Sequence, residues 1–288
     1  MTDTTGTIEN ISDTARWVAF YRAVESERPD ALFRDPYARR LAGERGEAIV
    51  RTMPGGRSAG WAMVVRTAVI DEIVMRLVER EGVDSVLNLA AGLDARPWRL
   101  SLPATLPWFD ADLPEILAYK LRTLEAERPR CAYHAEPVDL RDAERRRALF
   151  AEVAAVGKQT LVLTEGLLVY LEPEQVRSLA EDLHRQPSFR WWVLDIGSPR
   201  LLKMLSRRWG SHLAAGNAPF KFGPAEGTAF FAPMGWVEAE FHSMWEESGR
   251  LERTMPFFRL WNLLARLGPP KRREVFRRMS GIALLRRA

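Results

Sequence analysis

Apolar residues recur at two different spacings along this chain, and the change from one to the other divides it. Over residues 12–82 the spacing is helical. Ala15, Trp17, Val18, Ala19, Phe20 and Val24 follow Ser12 and Asp13, either of which can cap a helix. Asp35 before Pro36 predicts an N-cap and a first-turn proline for a short helix ending near Gly43. Ile70, Ile73, Val74, Leu77 and Val78 fall at i, i+3, i+4, i+7 and i+8, so they form one apolar stripe on a third helix that Gly82 closes. From residue 84 short apolar runs bounded by Gly, Pro and Asp alternate with helical segments. The runs at 85–89, 108–110, 132–138, 160–164 and 191–196 predict strands; the segments around 114–127, 142–156 and 173–185 predict helices. Such alternation implies a mainly parallel sheet with helices on both sides, because right-handed crossovers put them there. The expected fold class is a doubly wound α/β domain.

Residues 198–245 break this rhythm. Gly and Pro punctuate a stretch holding Trp209, Phe220, Phe222, Phe230, Phe231, Trp236 and Trp245, which predicts an irregular insertion or lid over the sheet edge. A basic segment at 269–278 then leads to a last strand at 281–285. The expected organisation is one domain: a flexible terminus (1–11), a helical cap (12–82), a ligand-binding core (84–197), a lid (198–245) and a segment completing the sheet (246–288).

Composition narrows the function classes. With 288 residues, 47% hydrophobic and 28% charged, the chain can bury a sizeable core, which excludes a disordered or fibrous protein. The single cysteine, Cys131, excludes an intrachain disulfide framework and a thiolate metal cluster and suits a reducing compartment. Residues 1–10 lack the basic start and apolar stretch of a signal peptide, and no apolar run reaches the length of about 20 residues that spans a bilayer. A cytoplasmic protein with no membrane partner is therefore expected. The net charge of +4 rests almost wholly on arginine, the lysines being Lys120, Lys158, Lys203, Lys221 and Lys271. A solvated arginine surface accounts for it; nucleic-acid contact through 271–278 is the sharper, less favoured alternative. The histidines at 134, 184, 212 and 242 are scattered and show no metal-ligand spacing.

In an open doubly wound sheet, ligands bind at the carboxyl ends of the strands, where strand order reverses. The strand at 86–89 runs into Ala90-Ala91-Gly92-Leu93-Asp94-Ala95-Arg96, a small-residue turn that lets backbone approach a ligand. Asp112, twenty residues beyond Gly92, is placed to accept hydrogen bonds from both hydroxyls of a ribose, or else to cap the helix before Pro114. Neither G-x-G-x-x-G nor G-x-x-x-x-G-K-[ST] is present, so a nucleoside without a diphosphate fits better than NAD or ATP. Arg66 shares the apolar face of the third helix, and a buried guanidinium requires an anion: a ligand carboxylate or a structural Asp or Glu. Arg22 poses the same question on the face of Ala15, Val18 and Ala19, with snorkelling to solvent as the alternative. Glu165 ends a buried-strand sequence that should open onto the crevice.

The strings VLNLAAGLDARPWRL (86–100), DADLPEILAYK (110–120) and TEGLLVYL (164–171), with DPYARRLAG (35–43) and the helix of Arg66, resemble S-adenosylmethionine-dependent methyltransferases of the leucine carboxyl methyltransferase class. The bacterial branch that includes polyketide O-methyltransferases is the most similar. The resemblance spans roughly residues 12–200. It implies a class I methyltransferase-like Rossmann fold and S-adenosyl-L-methionine as cofactor. On the matching positions it implies that Gly92 lies under the methionine part, Asp112 binds the ribose, and Asp139 and Leu140 contact adenine. It further implies that Arg66 pairs with the cofactor carboxylate and that Glu165 lies near the amino group or the methyl donor. Ala90 stands where the class commonly has glycine. The implied reaction is O-methylation of a carboxylate or hydroxyl on a small metabolite such as a polyketide-like acceptor; an RNA-modifying enzyme and a non-catalytic cofactor-binding protein are the alternatives. A carboxylate acceptor needs no base, whereas a hydroxyl does, and Tyr21, His212 and His242 are the candidates for orienting or activating one. The aromatic insertion predicts a largely apolar acceptor pocket.

Overall fold

The computed structural model describes residues 11–215, 218–267 and 269–288; the expectation for residues 1–10 lies outside them. Three helices come first: α1 (Ile11–Ser26), α2 (Ala38–Thr52) and α3 (Gly56–Arg80). Asp35 does not cap α2 as expected. Its carboxylate accepts the Tyr37 amide (3.1 Å) and pairs with Arg22 (2.9 Å), and the helix starts at Ala38, is broken by Gly43 (φ +59) and resumes to Thr52. The stripe on α3 is longer than the sequence indicated, because Val65 and Val69 extend it towards the N-terminus.

The sheet then builds from β1 (Ser85–Leu89), β2 (Pro107–Asp112), β3 (Ala132–Pro137), β4 (Thr160–Thr164), β5 (Phe189–Gly197), β6 (Trp236–Ser243) and β7 (Ser280–Arg287), in the order β3-β2-β1-β4-β5-β7-β6. β1 to β5 are parallel, while β7 runs antiparallel to both neighbours. Strand order reverses between β1 and β4, which puts the ligand crevice at their carboxyl ends. The crossovers carry α4 (Arg96–Arg99), α5 (Pro114–Thr123), α6 (Ala143–Val156) and α7 (Pro173–His184); Asp142 caps α6 by accepting the Glu144 and Arg145 amides.

Alternation along each central strand feeds two cores. Val86, Trp108, Leu161 and Val193 pack against Ile70, Ile73 and Leu77 of α3 on one face, while Leu87, Phe109, Val162 and Trp192 meet Phe150, Leu179 and Leu183 on the other. Among the described residues no helix is long and apolar enough to cross a membrane.

The stretch 198–245 is more regular than expected. It contains α8 (Pro199–Ala215), a 3-10 segment (Gly227–Met234) and β6, the edge strand that pairs with β7. Three helices, α9 (Met244–Arg250), α10 (Phe258–Leu267) and α11 (Pro270–Arg277), join β6 to β7, so most of the basic segment is helical. Two of its arginines are matched: Arg277 pairs with Glu246 (3.0 Å), and Arg278, just beyond α11, pairs with Glu238 (2.6 Å).

Candidate functional site

A cavity of about 890 Å³ opens at the carboxyl ends of β1, β4 and β5, between α1, α3 and the α8–α11 side of the molecule. Its floor is polar. The turn after β1 carries two departures from ordinary backbone, Ala90 at φ +52 and Gly92 at φ +51. At Gly92 only glycine fits comfortably, since a Cβ there would sit 3.1 Å from the Ala15 Cβ. Ala90 holds the left-handed conformation with its methyl group in place, a strain of about 1–2 kcal/mol. The turn is pinned from two sides. The Gly92 amide donates to Asp112 Oδ2 (2.6 Å), and Arg22 Nη2 donates to the Leu93 carbonyl (2.6 Å).

Beside the turn lies a charge network. Arg66 Nε donates to Glu165 Oε1 (2.9 Å) and its Nη1 to Asp195 Oδ2 (3.0 Å). Arg96, 2% exposed, reaches Asp71 (2.7 Å), Asp94 (2.8 Å) and Glu165 Oε2 (2.8 Å). Asp195 Oδ1 also accepts the Gly166 amide (2.7 Å), fixing the loop after β4. Burial penalises the Glu165 carboxylate, but Arg96 and Arg66 outweigh it and hold its pKa below the usual range; Asp94 is lowered in the same way by Arg96, Lys120 and Arg22. Beneath the network Asn88 Nδ2 bridges Asp94 (3.1 Å) and Asp110 (3.0 Å), and Asp110 takes Lys120 Nζ at 2.6 Å in a fully buried pair.

The remaining walls are mostly apolar. Trp17, Met63, Val169, Leu205, Trp209 and Phe220 are among the lining side chains, with Met255 and Trp261 from the α9–α10 side. Half-buried Tyr170 lines the cavity too; burial, opposed by Arg66, pushes its hydroxyl up to about 12, so it is protonated at neutral pH.

Of the residues singled out in the sequence, Arg22, Arg66, Gly92 and Glu165 meet on the cavity wall. Asp112 lies just behind it, its two oxygens accepting the Gly92 and Leu113 amides (2.6 and 2.7 Å); burial raises its pKa against these two donors. Asp139 and Leu140 follow β3, away from the cavity lining. Asp139 is partly exposed and paired with Arg141 (2.6 Å), and the Leu140 carbonyl accepts Arg146 (2.9 Å). Two of the three catalytic candidates are placed elsewhere. The Tyr21 hydroxyl is consumed in the helical cap, accepting Trp17 Nε1 (2.7 Å) and donating to the Gly56 carbonyl (2.5 Å), and burial pushes its pKa up to about 12. His242 stands on β6 between Glu247 (3.1 Å) and Glu240 (3.0 Å), away from the cavity; the hydrogen bond to Glu247 is the main cause of its raised pKa. His212 lies in α8, its side chain outside the described residues. Among the described residues no cluster of His, Cys, Asp and Glu could hold a metal ion.

Sequence reasoning missed Arg96, Asp195 and Tyr170. Asp195 was open to the rule used for Glu165, a carboxylate at the carboxyl end of a buried strand; Arg96 and Tyr170 sat inside the quoted strings with nothing in their spacing to mark them.

The site fits an α-amino acid joined to a nucleoside. Cations and carboxylates on the floor balance one another, so a zwitterion can enter by exchanging partners without leaving a net buried charge. The Asp112 carboxylate, holding one amide on each oxygen, retains acceptor capacity for ribose hydroxyls. Arg66 and Arg96 can take the ligand carboxylate, and Glu165 and Asp195 its ammonium.

Comparison with known proteins gives the same answer. The family model of leucine carboxyl methyltransferase matches residues 15–184. A Streptomyces coelicolor protein named "Putative S-adenosyl-L-methionine-dependent methyltransferase" is 32% identical over 263 residues, covering 84% of this chain and 89% of that one. A Parafrankia protein of the same designation is 38% identical over 185 residues, 61% of this chain and 59% of its own length. The fold matches crystal structures of a DUF574 family protein from Streptomyces avermitilis (TM-score 0.62, 14% identity, 99% of each chain) and of a Thermobifida fusca protein titled as a putative methyltransferase (TM-score 0.57, 16% identity, 99% and 96%). A family match over more than half the chain, on a floor suited to the cofactor, places this protein in the leucine carboxyl methyltransferase family, with S-adenosyl-L-methionine as its cofactor.

Proposed function

We propose that the protein transfers a methyl group from S-adenosyl-L-methionine to an oxygen, foremost a carboxylate oxygen, of a small and largely apolar metabolite. The observation that carries this reading is the continuity of one cavity, in which a charge-balanced floor opens directly into an aromatic and aliphatic chamber. The bound cofactor supplies a methyl group on a cationic sulfur, open to in-line displacement. Everything else falls to the chain. Arg66, Arg96 and Asp112 fix the donor end, the turn at Gly92 brings backbone against it, and the apolar walls orient the acceptor and exclude water, which supplies much of the rate in such a displacement.

The choice of a carboxylate acceptor follows from the bases on offer. Glu165, Asp195 and Asp94 are engaged by arginines or by backbone, Tyr170 is protonated, and among the described residues no histidine lines the cavity. A carboxylate arrives ionised and needs none of them. A cytoplasmic setting without nucleic acid or membrane partners suits this chemistry, and the paired state of Arg277 and Arg278 supports it.

Isothermal titration with S-adenosylhomocysteine tests the base of the proposal: the wild type should bind, and Asp112→Ala, which frees the Gly92 turn, should lose at least about tenfold in affinity. No binding by the wild type would sink it. Incubation with methyl-labelled cofactor and matched acids and phenols tests the acceptor, with label expected in the acids as base-labile esters.

A further inference from the structure

The cations that line the cavity are not equivalent. Arg22 is held by Asp35, Arg66 by Glu165 and Asp195, and Arg96 by Asp71, Asp94 and Glu165. Arg208, which lines the same cavity from α8, has no carboxylate partner among the described residues. It is nevertheless seated. Its Nε donates to the Pro54 carbonyl (3.1 Å), its guanidinium lies over the Trp209 ring (5.6 Å), and its Nη2 rests against Gly55, in space that a Cβ would fill. The neighbouring indole also donates to Pro54 (3.0 Å), so the backbone at the start of α3 holds both side chains.

Position gives this cation its meaning. Gly55 caps α3 and Arg66 is eleven residues along it, a separation of about 16 Å at the helical rise. Ala59, Ala62 and Met63 line the cavity between them. Arg208 thus stands at the far end of an apolar channel from the floor that takes the cofactor. The helix that carries it adds Arg200, Lys203 and Arg207 and no acidic residue, and none of these has an ion-pair partner among the described residues, so an anion approaching this rim meets a positive field.

We propose that Arg208 is a specificity-determining residue that binds an anionic group at the distal end of an elongated apolar acceptor, so that the substrate class is an amphipathic chain with its anion remote from the methylated oxygen. This rests on the methyl-transfer reading above. It requires no proton transfer at Arg208, only a charge-assisted hydrogen bond at the exposed rim of the channel.

Dodecanoate and its methyl ester serve as probes, titrated with and without S-adenosylhomocysteine. The wild type should bind the anion about tenfold or more tightly than the ester, Arg208→Gln should abolish that preference, and Arg208→Lys should restore part of it. Affinity for S-adenosylhomocysteine and the melting temperature should be the same in all three, which a merely structural role for Arg208 would not give. Equal binding of acid and ester by the wild type, absence of dodecanoate binding, or a preference that survives in Arg208→Gln would each overturn the assignment. Failure to bind S-adenosylhomocysteine would count against the methyl-transfer reading instead, because the dodecanoate comparison still reads out without it.

Discussion

The two ends of the cavity are built on opposite principles. At the floor every charge has a directed partner: Arg66, Arg96, Glu165 and Asp195, carried by α3, α4 and the ends of parallel strands, are held by contacts of 2.7–3.0 Å, largely out of water. Across the chamber, α8, α10 and α11 offer mainly apolar contacts without direction, Arg208 apart, and several of their apolar side chains face solvent: Met204 is 53% exposed, Trp261 50% and Leu260 54%. The family match, residues 15–184, covers the floor apart from Asp195 and stops before α8. The contrast has a physical reason. A buried ion cannot lose its partner without a large penalty, whereas apolar walls exchange one side chain for another at small cost. On the proposed reading, the end that takes the cofactor is the one fixed by ion pairs, and the end that would meet the acceptor is the cheap one to change.

The hardest test of this contrast is Arg96→Ala. It strips Asp71, Asp94 and Glu165 of a common partner, and urea denaturation should show a loss of about 3–5 kcal/mol together with loss of S-adenosylhomocysteine binding. A variant of nearly wild-type stability would show that the floor is not locked by its charges. Ala90→Gly should act in the other direction. Relief of the left-handed alanine outweighs the greater freedom of glycine in the unfolded chain, for a gain of up to about 1 kcal/mol in the same assay, and a clear loss of stability would refute strain at this turn. Trp261→Ala, on the opposite wall, should leave stability within about 0.5 kcal/mol and cofactor affinity unchanged, while raising the acceptor KM. If it weakens S-adenosylhomocysteine instead, the division between the two ends fails.

The smallest expected effect concerns pH. Glu247 and Glu240 favour the charged imidazole of His242, so its folded pKa lies above the unfolded value near 6.5. The resulting contribution to stability is fully present below that value and is lost as pH rises through the raised folded pKa. Urea midpoints at about pH 6 and about pH 8 should differ more for the wild type than for His242→Gln, and an equal difference would remove His242 from the brace between β6 and α9. Since His242 is outside the cavity, affinity for S-adenosylhomocysteine should not follow that change.

Much of the fold was legible because burial imposes a period. The strands β1 and β4 are buried at every position, and their apolar runs stood out; the stripe on α3 did so through its helical spacing. β6 was not legible. Its sequence places Glu238, Glu240 and His242 along a half-exposed edge, and its strand character comes from pairing with β7, some forty residues later in the chain. In the site, Gly92, Asp112, Arg66 and Glu165 could be found from the carboxyl-end rule, from spacing and from the resemblance. Tyr21 misled because an amphipathic helix does not say which neighbour takes its hydroxyl, and that neighbour proved to be the backbone of Gly56.

The sequence by itself determined the doubly wound arrangement, the position of the crevice and the residue types at its floor, because periodicity and turn chemistry are local properties that each segment carries with it. Only the tertiary structure decided which charges meet. Arg66 had a single requirement, an anion, and several carboxylates could have met it; the fold chose Glu165 and Asp195, 99 and 129 residues away in sequence. Ion pairs depend on distances of a few ångströms between distant segments, and no spacing along the chain encodes them. The same holds for Arg208, whose lack of a carboxylate partner among the described residues becomes visible only when its neighbours in space are known.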